Sequence, residues 1–406
     1  METVDLFAGF SPLEKIKAAL LAAQGLVLAE DICSPEQLPS FHRSTRDGFA
    51  VRARDSFACS ESEPALFTVA GESSMGQAGQ DIPLCSGQAV RIWTGGALPN
   101  RADAVVMVEH TRSLRDDTIM VYRPVAPGEN VIAAGEDYRI GETVLARGKL
   151  LRPQELGVLS GLGIIEVPVY RRPRVAILST GDELVPASRA IEPGKIRDIH
   201  SITLSALARE AGGSPVAFGI CGDEFDRLRD TCISALLQAD VLLLSGGSSL
   251  GRKDFTLKVF ESLDNTSVLL PGVSARPGKP AILAQQGNKA LIGLPGHVAS
   301  AVVIFYLLVR PLIRKLIGLE ADHGLNIVQG RTAEQIPSAV GREEYVRVCL
   351  KTGGGDRERL PWIKPVYGHS GLLSPLVAAD GLLPVGRDVE GLDKGVIADV
   401  IVFPSR

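Results

Sequence analysis

Hydrophobic and polar positions change rhythm several times along the chain. Ser11-Pro12-Leu13-Glu14 has the S-x-x-E spacing of a capping box, and Ile16, Ala19, Leu20 and Ala23 follow at helical intervals, which predicts an amphipathic first helix. From about Phe41 to Tyr138 the texture turns to short β-prone pieces, Leu66–Val69, Ala89–Trp93, Ala104–Val108 and Ile119–Val121, broken by Gly, Pro and Asp. Leu151–Leu162 reads as helix again, with Pro153 tolerable in its first turn. The pattern therefore predicts a helical linker domain made of residues 1–41 with 139–172, and a β-rich domain, 42–138, inserted into it.

From Pro173 short runs apolar on both faces alternate with helical patterns: Val175–Leu178, a helix Ser201–Ala211, Val216–Ile220, a helix Asp223–Leu237, and Val241–Leu244. Asp254–Leu263, Ala281–Leu283, Ala290–Ile292 and a long helix Val298–Ile317 continue the series. Strands without a polar face, alternating with helices, predict a parallel sheet covered on both sides, over residues 173–321. After about Ala321 the helical period stops. Tyr345–Leu350, Trp362–Val366, Gly381–Val385 and Ala398–Phe403 then predict a small β-domain, 322–406. The fold class is α/β plus β-rich domains in one multidomain subunit.

Composition narrows the field. The 406 residues suffice for about two to four folded units, so no disulfide or metal staple is required. Forty-three Gly and 25 Pro are scattered as punctuation, which means many turns and not low complexity. A net charge of −4 argues against a general polyanion binder, so no nucleic acid is expected. The six Cys show no C-x-x-C pair, and Met1-Glu2-Thr3-Val4-Asp5 has no basic n-region ahead of an apolar core. The longest uncharged apolar run, Val298–Val309, has twelve residues, against about 20 needed to span a bilayer. A cytoplasmic protein without membrane attachment is the expectation.

Candidate chemistry sits where strands end. Thr180-Gly181-Asp182-Glu183 and Ser245-Gly246-Gly247-Ser248-Ser249-Leu250-Gly251 each follow an apolar strand, and ligands of open parallel sheets bind beyond those carboxyl ends. The second loop can present consecutive N–H groups and hydroxyls to a phosphate. It is not a nucleotide P-loop: Arg252-Lys253-Asp254 follows Gly251, so the Lys is one place late and no Ser or Thr follows to hold magnesium. Arg276 and Lys279 lie in the loop Ser274–Pro280, and Leu294-Pro295-Gly296-His297 makes a rigid turn before the apolar helix. Together these loops imply a phosphorylated small-molecule ligand. The acids of Arg46-Asp47-Gly48-Phe49 and Gly135-Glu136-Asp137 read by themselves as turn chemistry.

Taken in order, Arg46–Arg52, Arg91–Pro99, Ala102–Met107, Gly135–Asp137, Leu178–Leu184, Ser245–Ser248 with Asp254, Pro277–Pro280 and Gly293–Gly296 resemble the motifs of the MoeA/gephyrin E-domain family, the molybdopterin molybdenumtransferases. Gly341–Tyr345 and Gly368-His369-Ser370-Gly371 extend the resemblance to the C-terminus. It implies an elongated subunit with a MogA-like doubly wound α/β domain that binds molybdopterin, a C-terminal β-barrel, and a homodimer in which N-terminal acids of one copy serve the α/β domain of the other. It implies insertion of molybdate into adenylylated molybdopterin with release of AMP, assisted by magnesium, and a MogA-type adenylyltransferase as a partner. Carried onto this sequence, Asp47, Asp137, Glu183, Asp223 and Asp254 become the catalytic acids, with Asp47, Asp137 and Asp254 as ligands for the cation. Thr180, Gly246, Gly247, Ser248, Gly251, Arg276, Lys279 and Pro295 become the substrate-binding set.

The chain departs from the family pattern in four motif loops. His297-Val298 stands for the usual Asn-Pro, His200 for an Asn, Arg252-Lys253 for an acidic or neutral spacer, and Arg46 for Met. These changes keep two further readings open: a divergent paralogue that inserts tungstate, and a non-catalytic molybdopterin-binding or scaffold protein. A His200–His297 metal pair is the minor reading, since a lone His is more often a satisfied polar group. A kinship with competence-damage nucleotide hydrolases is disfavoured by the presence of all four segments.

Overall fold

The computed structural model describes residues 6–76, 82–246, 253–352 and 360–404, with Lys253 and Asp254 described by their backbone alone. The chain divides into two compact units. The smaller comprises Ala18–Gln24 and Glu30–Val167; the larger comprises Met1–Lys17, Gly25–Ala29 and Pro168–Arg406.

The smaller unit is built on a six-stranded mixed sheet. Its strands are β1 (Gly48–Val51), β2 (Ala65–Ser73), β3 (Gln88–Ile92), β4 (Ala104–Met107), β5 (Thr111–Arg115) and β6 (Thr118–Val121), in the order β4-β1-β3-β2-β6-β5. Phe49, Val51, Phe67, Val106 and Ile119 fill one of its cores. The helix α1 (Pro153–Gly161) starts at the proline and is closed by a capping box in which Glu155 receives the Arg152 amide. The β-prone segments and this helix stand where the sequence pattern put them.

The first helix does not form. Lys15–Ala19 is a strand and Leu20–Ala23 a single 3-10 turn. Ser11, whose amide a capping box would bond to Glu14, donates it to Asn288 Oδ1 at 2.8 Å, and Glu14 pairs with Arg171. Ile16, on the supposed apolar face, remains 40% exposed. Long-range partners have overruled a correct local signal.

In the larger unit, β7 (Arg174–Thr180), α2 (His200–Glu210), β8 (Ser214–Cys221), α3 (Phe225–Gln238), β9 (Val241–Gly246), α4 (Lys253–Glu261), β10 (Ser267–Leu270), β11 (Ile282–Gln286) and β12 (Lys289–Leu294) form a doubly wound domain. The sheet order is β8-β7-β9-β12-β11-β10. Side chains alternate across it as the strand period requires. Val175, Ile177, Val241 and Leu243 join one core, while Ala176, Leu178, Leu242 and Leu244 join the other. The sheet is mixed and not wholly parallel, because β11 runs antiparallel to both neighbours. The turn Gly287-Asn288 between β11 and β12 is a hairpin, and a connection that short cannot cross over to make a parallel pair. The apolar helix that follows is α5 (Val298–Ile304), a π-helical turn Phe305–Val309, and α6 (Arg310–Leu316).

The C-terminal strands close on themselves. β13 (Ile327–Thr332), β14 (Glu343–Lys351), β15 (Trp362–Pro365), β16 (Gly381–Val385) and β17 (Ile397–Val402) pair in the ring β14-β15-β13-β17-β16-β14, a five-stranded barrel around Val348, Ile363, Leu383 and Val400. A two-residue strand, Ala275–Arg276, leaves the α/β domain and pairs parallel with Glu343–Glu344 of β14. Among the described residues no helix is long and apolar enough to cross a membrane.

Candidate active site

The chain passes from β7 to β8 on one side and returns to β9 on the other, so β7 and β9 diverge at the switch point where such sheets hold ligands. The register pairs Ser179 with Ser245 and Thr180 with Gly246 at their carboxyl ends. A cavity of 190 Å³ opens there, lined by Thr180, Glu183, His200, Gly246 and His297 among others. Gly246 has φ of +116°, and a Cβ on it would drive into the Thr180 carbonyl oxygen. Only glycine lets the two strand ends approach this closely.

A hydroxyl–carboxylate network runs through the cavity wall. Ser179 Oγ donates to Asp198 Oδ1 at 3.0 Å and lies 3.3 Å from Ser245 Oγ. Asp198 also accepts the Ser201 amide at 3.1 Å, which fixes the start of α2. Thr180 Oγ1 donates to Asp223 Oδ1 at 3.0 Å, and the Asp223 amide donates to Asp182 Oδ1 at 3.1 Å. Asp223 thus orients Thr180 from outside the cavity, while Glu183 stands exposed at its rim.

His200, only 9% exposed, faces the cavity; burial and then His297 push its imidazole below the ordinary histidine value, with Asp198 opposing. His297 Nδ1 lies 2.7 Å from Ser370 Oγ, and Gly371 completes the wall, so the barrel contributes one side of the site. Pro295 is buried in the turn that presents Gly296 and His297.

Arg276 does not line this cavity. It lines a second one, of 420 Å³, with Arg347, His369 and Ser370. Arg276 Nη1 lies 3.5 Å from Glu344 Oε2, which also accepts from Ser338 Oγ at 2.9 Å. Arg347 donates through Nη2 to the Gly368 carbonyl, but its buried Nη1 has no partner among the described residues, and burial lowers its pKa. An orphaned guanidinium N–H is costly and calls for an acceptor. Lys279 is exposed on the connecting loop. Gly247, Ser248 and Gly251 lie outside the described residues, as does the side chain of Asp254.

Asp47 and Asp137 belong to the smaller unit, and both are exposed. Thr94 donates its hydroxyl to Asp47 Oδ1 at 2.7 Å and its amide at 2.8 Å, which holds the carboxyl below the ordinary aspartate value. The loop carrying Asp137 is anchored to the segment leading to Asp47: Gly135 N donates to Pro39 O at 2.9 Å, Asp137 N to Leu38 O at 3.0 Å, and Ala134 N to His42 Nδ1 at 3.2 Å. No group of three His, Cys, Asp or Glu able to hold a metal occurs among the described residues. Magnesium needs no such cage, since it retains water and takes one or two carboxylates plus substrate phosphates. An ionised, exposed aspartate pinned through one oxygen suits that role.

Sequence reasoning missed Ser179, Ser245, Asp198, Arg347 and the contact of Ser370. The signal for the first two was available: a Ser closing an otherwise apolar strand, twice, in register. Arg347 gave none, because its neighbours come from a loop far along the chain.

The chain matches three family models in order: the MoeA N-terminal region (domains I and II) over residues 2–163, a probable molybdopterin binding domain over 176–315, and the MoeA C-terminal region (domain IV) over 329–403. It is 33% identical over 384 residues to molybdopterin molybdenumtransferase 2 of Mycobacterium tuberculosis, covering 94% of this chain and 93% of that one. This chain belongs to the MoeA family. A Nostoc molybdopterin molybdenumtransferase is 36% identical over 384 residues, covering 93% of this chain and 87% of its own. The crystal structure of the MoeA protein of molybdopterin biosynthesis from Pyrococcus horikoshii OT3 superposes with a TM-score of 0.84 at 30% identity, over 99% of this chain and 98% of that one. The expected family, the doubly wound domain and the barrel are thereby borne out.

Proposed function

We propose that this MoeA-family chain is a molybdopterin molybdenumtransferase: it takes adenylylated molybdopterin and molybdate, releases AMP, and leaves molybdenum on the dithiolene. The observation that carries this reading is the hydrogen bond between His297 and Ser370, which joins a cavity at the switch point to a second cavity holding Arg276 and the unpartnered Arg347 N–H. One cavity suits an organic phosphate ester and the other a small oxyanion, and the reaction needs both side by side.

Thr180 and Gly246, with Gly247, Ser248 and Gly251, hold the pterin phosphate through hydroxyl and N–H donors. Arg347, Arg276 and Lys279 attract molybdate; the planar guanidinium fork matches the edge of a tetrahedral oxyanion. Asp223 is a positioning residue for Thr180, and Glu183 orients water at the rim. Pro295 stiffens the turn that carries Gly296 and His297. Asp47 and Asp137, with Asp254, would hold magnesium, which when bound polarises the pyrophosphate for cleavage. A homodimer in the cytoplasm, fed by a MogA-type adenylyltransferase, completes the proposal.

The test is AMP release from adenylylated molybdopterin with molybdate, repeated with tungstate. Release with molybdate, lost in Arg347→Ala while substrate still binds, supports the reading; release with tungstate alone reassigns the metal. Tight binding without release from either oxyanion leaves a binding or scaffold protein.

A further inference from the structure

The switch-point cavity holds two imidazoles that the proposed reaction has not used. His200 is 9% exposed and lines the cavity. His297 approaches from the turn after β12, and its Nδ1 is already committed to Ser370 Oγ at 2.7 Å, which leaves Nε2 for whatever enters. His297 is close enough to disfavour charge on His200.

Among the described residues, the charged groups that line the cavity with them are Asp198, Glu183 and Arg197. Asp198, at the start of α2, favours the cationic form of His200, but its oxygens are occupied by Ser179 and Ser201. Glu183 and Arg197 stand on the cavity wall from the β7 side, with opposite charges. From β9 come the Ser245 hydroxyl and the Gly246 backbone, and from the barrel Gly371; neither brings charge. Burial in a cavity of this kind disfavours the charged form of His200. A ligand carrying phosphate reverses the balance, because an anion within a few ångströms favours imidazolium.

We propose that His200 and His297 are specificity-determining residues that grip an anionic group of the ligand by taking up protons as it binds. The inference rests on the reading of this cavity as the molybdopterin site and goes beyond it: recognition is coupled to pH through side chains that no fixed-charge residue could replace. A neutral analogue of the same shape gains nothing from the pair, whereas a phosphate ester gains a charge-assisted hydrogen bond on each protonated ring. The sign follows from linkage. The bound state holds more protons than the free state, so affinity rises as pH falls, by up to about tenfold per pH unit for each proton taken up.

The experiment is titration calorimetry of the full-length wild-type chain with adenylylated molybdopterin, anaerobically, in two buffers of different ionisation enthalpy and from mildly acidic to mildly basic pH. Proton uptake by the wild type, and an affinity that weakens with rising pH, is the expected result. His200→Asn and His297→Asn should each flatten the profile, and together abolish the uptake, while binding at the basic end changes less than about threefold, roughly 0.65 kcal/mol. The Asn variants share the ligand's own titration, so the difference between chains isolates the imidazoles. His297, exposed in its turn, serves as the variant whose folding is not at stake. Binding with no proton uptake in the wild type overturns this inference alone. Absence of binding at every pH overturns the reading of the cavity and the inference with it.

Discussion

Asp47 shows how a single side chain is made ready. Thr94 supplies both donors to one of its oxygens, which holds the carboxyl below the ordinary aspartate value and fixes it in place. Thr94→Val should keep the fold but release the carboxylate, lowering the rate of AMP release about 10- to 100-fold, the usual cost of losing a group that orients a ligand; steady-state rates with Asp47→Ala as reference check it. Gly246→Ala should cost about 1–3 kcal/mol, because a Cβ at that φ is strained and collides with the Thr180 carbonyl; denaturant unfolding and ligand binding should both report it. The glycine and the aspartate were legible in the sequence from the company they keep. Thr94 was not, because its meaning lies in a partner 47 positions away, and a local pattern does not encode such a pairing.

Elements were read best where burial alone decides them. The apolar runs of β7, β9 and β12 needed no partner to be recognised, whereas Lys15–Ala19 carried a helical period and became a strand. The reversal of β11 was hidden because a two-faced apolar strand looks the same in either direction. At the start of β9 one aspartate ties strands together: Asp240 takes a two-pronged contact from Arg171, at 2.6 and 2.8 Å, and the Arg174 amide at 2.7 Å. Burial raises its carboxyl, but Arg171, the Arg174 amide and Lys289 outweigh that and hold it below the ordinary aspartate value. Asp240→Asn should therefore lower stability by about 2 kcal/mol at neutral pH. A depressed pKa means that this contribution is complete above the unfolded value of about 3.9 and is lost as pH falls through the folded one; chemical denaturation at neutral pH and at pH about 3 should show the mutant gap closing.

At the scale of the molecule, the α/β domain and the barrel form one unit. Tyr306 stacks on Phe403 at 5.1 Å, Ala275–Arg276 joins the edge of β14, and His297 meets Ser370. The chain has two tryptophans, so Trp93→Phe leaves Trp362 as a reporter within the barrel. Its fluorescence and the far-ultraviolet signal of α2–α6 should melt together, and a barrel transition well separated from the helices would contradict the joint unit. The smaller unit is attached differently. The polypeptide leaves the larger unit briefly between Lys17 and Gly25, then for the long excursion after Ala29, and comes back at Pro168, where the Ala29 amide donates to the Pro168 carbonyl at 3.0 Å and Leu28 bridges Val169. For this long excursion, exit and return share one doorway. The entropy of closing such an excursion grows only with the logarithm of its length, about 0.6 kcal/mol for each doubling. What hangs from that doorway can consequently lengthen, shrink or be exchanged over evolutionary time while the frame behind it keeps its shape.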